Sequence, residues 1–174
     1  VHRYLPLAVD AEARHYVRDA ITAGASKEVN FRVRGDLADL PFANGEVGEF
    51  HIAARIRNAT LVYVPRALQA PGDKPWPALS GLSGMLVFDR ASMRVDGAAG
   101  QVLGRPRLKV LQVNARIPDL ESPQLQVQGE VQGPLAEMLA FVRGSQVADL
   151  TEGALDQMQA RGEAALQLQL RLPI

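Results

Sequence analysis

The histidines and cysteines are the residues with which this chain could bind a transition metal, because imidazole and thiolate are the preferred ligands of such ions. The three histidines are His2, His15 and His51, and none of them stands at a spacing from another that brings two ligands to one ion. The chain has no cysteine, which excludes disulfides, thiolate metal sites and cysteine nucleophiles. The sequence therefore predicts no metal site.

The carboxylates Asp36, Asp39, Asp119 and Glu121 are the candidates for acid–base catalysis. Each lies in a stretch that also carries glycine or proline, where aspartate is common because its side chain stabilises turns. One alternative stays open, a hydrolase that uses Asp36 or Asp39. It requires these carboxylates to meet His51 in a polar cleft. We expect turn-forming roles and no enzymatic activity.

Two glycine-containing stretches have the composition of catalytic loops without their spacing. The run Gly81-Leu82-Ser83-Gly84 lacks the glycine-x-serine-x-glycine pattern of a nucleophile elbow. The run Gly97-Ala98-Ala99-Gly100 lacks the lysine of a phosphate loop and the dinucleotide fingerprint. We interpret the second run as a hairpin turn after a strand that contains Met93. No cofactor is predicted.

The composition indicates one ordinary domain and excludes nucleic-acid binding. The chain has 174 residues, of which 47% are hydrophobic, and 19 basic residues balance 19 acidic ones. A protein that binds nucleic acid needs a basic surplus or aromatic stacking platforms, and aromatics make up only 5% here. We therefore expect no nucleic-acid partner. We also expect no membrane contact through this segment itself, because it has no polybasic run.

Most of the chain alternates between apolar and polar residues, the pattern of an antiparallel strand with one covered face. The stretch from Leu166 to Leu172 is the clearest example, because leucine occupies every even position and glutamine or arginine every odd one. Each leucine that leaves water contributes roughly 1.5–3 kcal/mol. The same alternation occurs around Phe31, Ile52 and Val127. Something must cover the combined apolar face.

Helical signals flank this strand-rich region. Asp10 is a plausible N-cap for a helix over Ala11 to Thr22 that ends at Gly24. A second helix is predicted from Pro134 to Arg143, and a third, short one from Thr151 to Gln159. The apolar phase slips at Val110-Leu111, which predicts a β-bulge.

These signals predict one α+β domain, residues 1–174, built on a strongly curved antiparallel sheet (a taco-like β-groove) with short helices capping its ends. Its segments are a helical part over 1–24, antiparallel strands over 25–133, a helical part over 134–159 and a final strand over 160–174.

The apolar face admits two interpretations, the interior of a closed sandwich or barrel and an open trough for flexible acyl chains. Long one-sided strands and few aromatics favour the trough. The residues predicted to line it are Val29, Phe31, Val33, Phe50, Ile52, Ile56, Val113, Ile117, Leu125, Val127, Val131, Leu166, Leu168, Leu170 and Leu172.

Several stretches together resemble the AsmA-like superfamily of Gram-negative envelope proteins, particularly its YhdP branch, with TamB as a more distant relative. Their order and spacing extend over nearly the whole chain. The stretches are Tyr4-Leu5-Pro6, Ala20-Ile21 through Gly24, Phe31 to Phe42, Gly48-Glu49-Phe50, Trp76 to Gly84 and on to Asp89, Ile117-Pro118-Asp119-Leu120 and Leu170 to Ile174.

The resemblance implies a function without a catalytic motif. Members of the family are expected to be elongated periplasmic bridges whose apolar grooves pass phospholipids between the membranes. It further implies that this chain is an internal segment of a longer, exported protein that is anchored in the inner membrane and serves outer-membrane biogenesis. The expected partners are a phospholipid or another acyl-chain ligand and the neighbouring β-groove repeats of the parent chain. The alternative is a closed β-module that serves as a structural or protein-interaction unit of the envelope.

Overall fold

Seven antiparallel strands lie side by side in the order in which they occur in the sequence. The computed structural model describes residues 11–43, 47–62, 64–122, 124–146, 148, 153–155 and 157–173. The strands are β1 (Ile21–Gly35), β2 (Gly48–Leu61), β3 (Leu79–Asp89), β4 (Ser92–Val102), β5 (Arg105–Ile117), β6 (Gln124–Pro134) and β7 (Glu163–Pro173), and the helices are α1 (Ala11–Ala20) and α2 (Leu135–Arg143).

The first helix is shorter than the sequence predicts. It ends at Ala20, and Ile21 already belongs to β1, where it pairs with Leu61. Gly24 lies inside β1 with φ +140°, and a Cβ there would lie 3.0 Å from the Cβ of Ala59. The prediction that Gly24 terminates the helix is therefore wrong, because pairing with β2 takes over the backbone hydrogen bonds four residues earlier. The predicted N-cap, Asp10, lies outside the described residues.

The second predicted helix is confirmed as α2, which begins directly after Pro134. The third is not found in the described part of its range, since residues 153–155 and 157 form turns and residues 158 and 159 are irregular. The predicted cap Thr151 lies outside the described residues. The guanidinium of Arg143 donates to the carbonyl of Leu155 at 2.9 Å, so the last turn of α2 holds this segment without a further helix.

The predicted β-bulge exists, two residues further along than the sequence indicates. Val110 still pairs with Val131 and Leu111 with Glu130. The register of β5 against β6 shifts between Leu111 and Asn114, where Gln112 has φ +48°. Because one extra residue is absorbed there, Val113 returns to the face that Val110 occupies.

The hairpin predicted at the Gly97–Gly100 run is wrong. Strand β4 continues through both glycines, and Gly97 lies at a register shift with φ +58° and donates its backbone N–H to the Asn114 side chain at 2.9 Å. The chain reverses later, at Gly104, whose φ is +76°.

The two ends of the sheet are closed by different elements. The antiparallel order places α1 and α2 at the same end, here called the helical end, where β1, β3, β5 and β7 begin. Residues 36–43 and 118–121 lie at the opposite, loop end. The helices therefore do not cap both ends.

The sheet is open, with β1 and β7 as its edges, and it is not strongly curled, so the predicted strongly curved groove is not confirmed. The covering segments at the two ends already shield the middle strands, and this burial does not require the sheet to close onto itself.

Candidate functional site: the apolar face

One row of apolar side chains crosses the whole sheet on a single face. Directly paired residues of neighbouring antiparallel strands point to the same side, so the strand register identifies the members of the row. Its members, from β1 to β7, are Val29, Ala54, Leu86, Val95, Ala115, Val127 and Leu170. We call the side of the sheet that carries this row the apolar face.

The predicted lining residues all lie in strands that this face crosses, but the exposed fractions of their side chains differ sharply. Three are buried in the middle of the sheet, namely Phe50, Ile52 and Ile117. Five are half-buried, namely Ile56, Val113, Leu125, Val127 and Val131. Six are exposed, namely Val29, Phe31, Val33, Leu166, Leu168 and Leu170. The backbone of Leu172 pairs with Leu125, and its side chain lies outside the described part.

Phe42 covers the loop-end half of the face. Its side chain is fully buried in a cluster with Phe50, Ile52, Leu86 and Phe88. The sequence analysis did not identify Phe42 as a core residue, because it follows the strand pattern by several positions. The available signal was a large aromatic residue directly after a proline in the turn between β1 and β2.

The close approach of Phe42 depends on two glycines at the ends of β1 and β2. A Cβ at Gly35 would lie 2.7 Å from the Phe42 ring, and one at Gly48 would lie 2.3 Å from it. Arg90 fixes the backbone here, since its guanidinium donates to the carbonyl of Phe42 at 3.1 Å and to that of Gly48 at 2.9 Å.

Helix α2 covers the helical-end half of the face. Met138 packs in a buried cluster with Val102, Leu108 and Val110, and Phe141 contacts the cluster from its border. On the outer side of this helix, the carboxylate of Glu137 pairs with the guanidinium of Arg107 at 3.3 Å.

The two edge strands leave apolar surface in water. On β1, the β1 strip consists of Val29, Phe31 and Val33, which are 43%, 52% and 47% exposed. On β7, the β7 strip consists of Leu166, Leu168 and Leu170, which are 49%, 37% and 42% exposed. Exposed apolar patches of this kind mark binding surfaces in soluble proteins.

The charged groups of the strands lie on the opposite face. Arg32 pairs with Glu49 at 3.3 Å and Arg94 with Asp96 at 3.0 Å, all four side chains being well exposed. Such exposed pairs contribute little to stability. Because these charged groups lie on the opposite face, the row on the apolar face carries no charged side chain.

The polar candidates from the sequence lie in different places: Asp119 and Glu121 line one cavity at the loop end, whereas no hydrogen bond or ion pair among the described residues joins Asp36 or Asp39 to His51. The carboxylate of Asp36 accepts a hydrogen bond from the backbone N–H of Ala38 at 3.0 Å, and Asp119 accepts one from Glu121 at 2.9 Å. His51 faces Asp89 at 3.5 Å. The carboxylates of Asp36 and Asp119 therefore stabilise turns, as their sequence context predicts.

The remaining candidates give no metal site within the described residues. His15 is exposed on α1, and His2 lies outside the described part. No group of three histidine or acidic side chains in the described ranges is arranged to hold a metal ion.

Two cavities open at the ends of the strands. One of about 460 Å³ lies at the loop end between Asp89, Arg94 and Glu121. A second of about 290 Å³ lies at the helical end between Trp76 and Phe141. Neither adjoins the exposed strips.

The sequence analysis also missed Ala54, Leu86, Val95 and Ala115 as members of the row. Ala54, Val95 and Ala115 occur in alternating stretches and carried a signal. Leu86 lies in a continuous apolar run, so its face follows only from the register.

Among the described helices, none is both long and apolar enough to cross a bilayer. The model of the protein family described as "YhdP protein" matches residues 1–174. No curated protein and no solved structure matches the chain.

Proposed function

Because the chain belongs to the YhdP family, we propose that it is a lipid-binding segment of a phospholipid transfer protein that spans the periplasm. The observation that carries the proposal is the uncharged apolar row that crosses all seven strands and ends in an exposed strip at both edges. The segment acts as a passive surface and not as an enzyme, and it uses no cofactor.

The dimensions of the row suit an acyl chain that lies across the strands. Seven strands give six spacings of about 4.8 Å, a span of about 29 Å. A single leaflet contributes about half of the roughly 30 Å hydrocarbon core of a bilayer, or about 15 Å. One acyl chain therefore needs only part of the row, and the exposed parts at the two edges are the ones available to it, because Ala54 and Leu86 between them are buried.

Movement along an exposed strip exchanges similar contacts. Each methylene that leaves water gains about 0.8 kcal/mol wherever it lies on a continuous apolar surface. The row ends at each edge in a half-exposed side chain, Val29 on β1 and Leu170 on β7. The apolar surface can therefore continue into whatever lies beside each edge. The neighbouring β-groove repeats of a parent chain anchored in the inner membrane would occupy those positions.

Photocrosslinking with a phospholipid that carries a diazirine in one acyl chain tests the proposal. Phe31→Asp places a carboxylate in the β1 strip, and we expect it to reduce crosslinking on the order of tenfold, a loss of about 1.4 kcal/mol in binding. Asn30→Asp adds the same charge on the opposite face of β1 and is expected to leave crosslinking unchanged.

The outcome distinguishes the proposal from its alternative, a closed structural or protein-interaction module. The burial of Phe50 and Ile52 under Phe42 favours that alternative, because a covered core needs no ligand. Equal crosslinking of both variants, or labels only on the charged face, would contradict the lipid-binding proposal.

A further inference from the structure

The ring of Phe42 covers apolar surface that lies one strand away from the exposed β1 strip. In the register of β1 against β2, Val33 pairs with Phe50 and Phe31 pairs with Ile52. Phe50 and Ile52 belong to the same buried cluster as Phe42, and neighbouring strands are about 4.8 Å apart. This cluster is therefore the first apolar surface that a hydrocarbon chain on the β1 strip meets as it moves toward the middle of the sheet.

The β1 strip by itself is too short for a full acyl chain. Val29 and Val33 at its two ends are four residue steps apart, or about 13 Å along the strand. The acyl chain of one leaflet spans about 15 Å, half of the hydrocarbon core of a bilayer. A full chain therefore has to extend beyond the strip, and at the Val33 end the adjacent apolar surface is the cluster that Phe42 covers.

Hydrogen bonds hold the backbone of Phe42, whereas its ring makes apolar contacts that a ligand can replace. The backbone N–H donates to the carbonyl of Asp39 at 2.6 Å, and the carbonyl accepts from the guanidinium of Arg90 at 3.1 Å. Phe42 has φ +60°, a left-handed conformation that a bulky residue rarely adopts. Residues held in such conformations concentrate at ligand clamps and switch regions. The ring can thus leave the cluster by rotation about its side-chain bonds while the turn stays in place.

The cavity at the loop end offers the ring a second position. Phe42 and Ala43 line this cavity, whose volume is about 460 Å³. Cavities of this size hold whole small ligands, so a single phenyl ring fits. Much of the remaining lining is charged, including Asp89, Arg94 and Glu121. Because the ring gains more by leaving water among apolar side chains, the cluster is its better place as long as no hydrocarbon fills it.

We propose that Phe42 is a plug that competes with an acyl chain for the loop-end half of the apolar face. Without lipid the ring fills this place, and a chain that advances from the β1 strip displaces it toward the loop-end cavity. The inference rests on the proposed lipid-binding function and names the residue that regulates access to the middle of the row. A chain long enough to reach the cluster binds more weakly by the fraction of molecules in which the ring is already displaced. A chain that stays on the strip does not compete with the ring.

Fluorescence titration with two alkyl probes of different length tests the competition. The probes are the dansyl amides of octylamine, which is short enough to stay on the strip, and of dodecylamine, which is not. We expect Phe42→Ala to lower the dissociation constant of the dodecyl probe about tenfold, or about 1.4 kcal/mol. The dissociation constant of the octyl probe should change less than about threefold, because this probe never meets the ring.

The control variant is Val87→Ala, which removes buried packing without opening the apolar face. Val87 is buried in β3, and it points to the opposite face because its neighbour Leu86 belongs to the row. We expect it to leave both dissociation constants unchanged. Phe42→Leu replaces Phe42→Ala if the alanine variant does not fold, and it should shift the dodecyl probe in the same direction by a smaller factor.

Fluorine NMR of the native chain labelled with 4-fluorophenylalanine observes the ring without any substitution in the sample. The chain has five phenylalanines, and the signals lost in Phe42→Leu and in Phe31→Leu assign these two residues. At saturation with the dodecyl probe we expect both signals to shift. With the octyl probe only the Phe31 signal, which reports on the β1 strip, should shift.

The two signals separate this inference from the function on which it rests. A shift of Phe31 with an unchanged Phe42 signal at saturation with the dodecyl probe would overturn the plug and leave lipid binding intact. An unchanged dodecyl dissociation constant in folded Phe42→Ala or Phe42→Leu would overturn the plug as well. If neither signal moves with either probe, the lipid-binding function fails and the plug fails with it.

Discussion

Phe42 is the residue that separates the covered part of the apolar face from the exposed part. Its ring occupies the space left by the missing side chains of Gly35 and Gly48, and it packs on Phe50 and Phe88. Since no strand contributes Phe42, the amount of apolar surface available to a ligand depends on a turn residue. Phe42 lies in the turn between β1 and β2, where the period-two pattern does not apply, which is why alternation alone could not predict this contact.

Removing the Phe42 side chain should destabilise the sheet strongly. We expect Phe42→Ala to lower the free energy of unfolding by about 3–5 kcal/mol, the usual cost of removing a buried aromatic side chain. Chemical denaturation followed by circular dichroism measures this loss. Leu37→Ala is the control, because Leu37 is 69% exposed and its truncation should cost less than about 0.5 kcal/mol. Equal losses in the two variants would show that Phe42 does not form the core described here.

Gly48→Ala tests the same contact from the opposite side. Its added methyl group would lie 2.3 Å from the Phe42 ring, so we expect a loss of about 1–3 kcal/mol through overpacking. In the Phe42→Ala background the clash is absent, and the same substitution should cost far less. Additive losses in a double-mutant cycle would contradict this packing.

At the scale of the element, the period-two pattern predicted which residues of β1, β2, β6 and β7 share the apolar face but not where each strand begins or shifts. The alternation around Phe31, Ile52 and Leu168 reproduces the observed faces. The start of β1 at Ile21 and the bulge at Gln112 depend on pairing with neighbouring strands, which the local pattern does not contain. The local pattern also could not predict that the sheet is not strongly curled, because its curvature depends on which segments cover it.

Helix α1 contributes a pH-dependent term to stability. Burial raises the pKa of the Tyr16 phenol above its ordinary value of 10.0, so the folded chain holds this proton more tightly than the unfolded chain does. The contribution is fully present below pH 10 and is lost as the pH rises through the folded-state pKa. Unfolding curves above pH 10 should therefore show a steeper loss of stability for the native chain than for Tyr16→Phe. Parallel pH profiles of the two proteins would contradict a docked α1.

At the scale of the whole molecule, the sheet combines a core of its own with apolar edges that no described residue covers completely. The covered middle gives the segment stability without a ligand, and the strips at β1 and β7 give it surface that water contacts unfavourably. Membership of the YhdP family followed from stretches spread over the sequence. The division between covered and exposed surface needed the structure, because it depends on Phe42 and α2.

Native mass spectrometry of the purified chain, together with solvent extraction and titration with a fluorescent fatty acid, tests the central claim most directly. We predict bound acyl-chain lipid, saturable probe binding, and loss of both in Phe31→Asp but not in Asn30→Asp. A chain that is folded, carries no lipid and does not bind the probe would contradict the claim that the apolar face holds hydrocarbon chains.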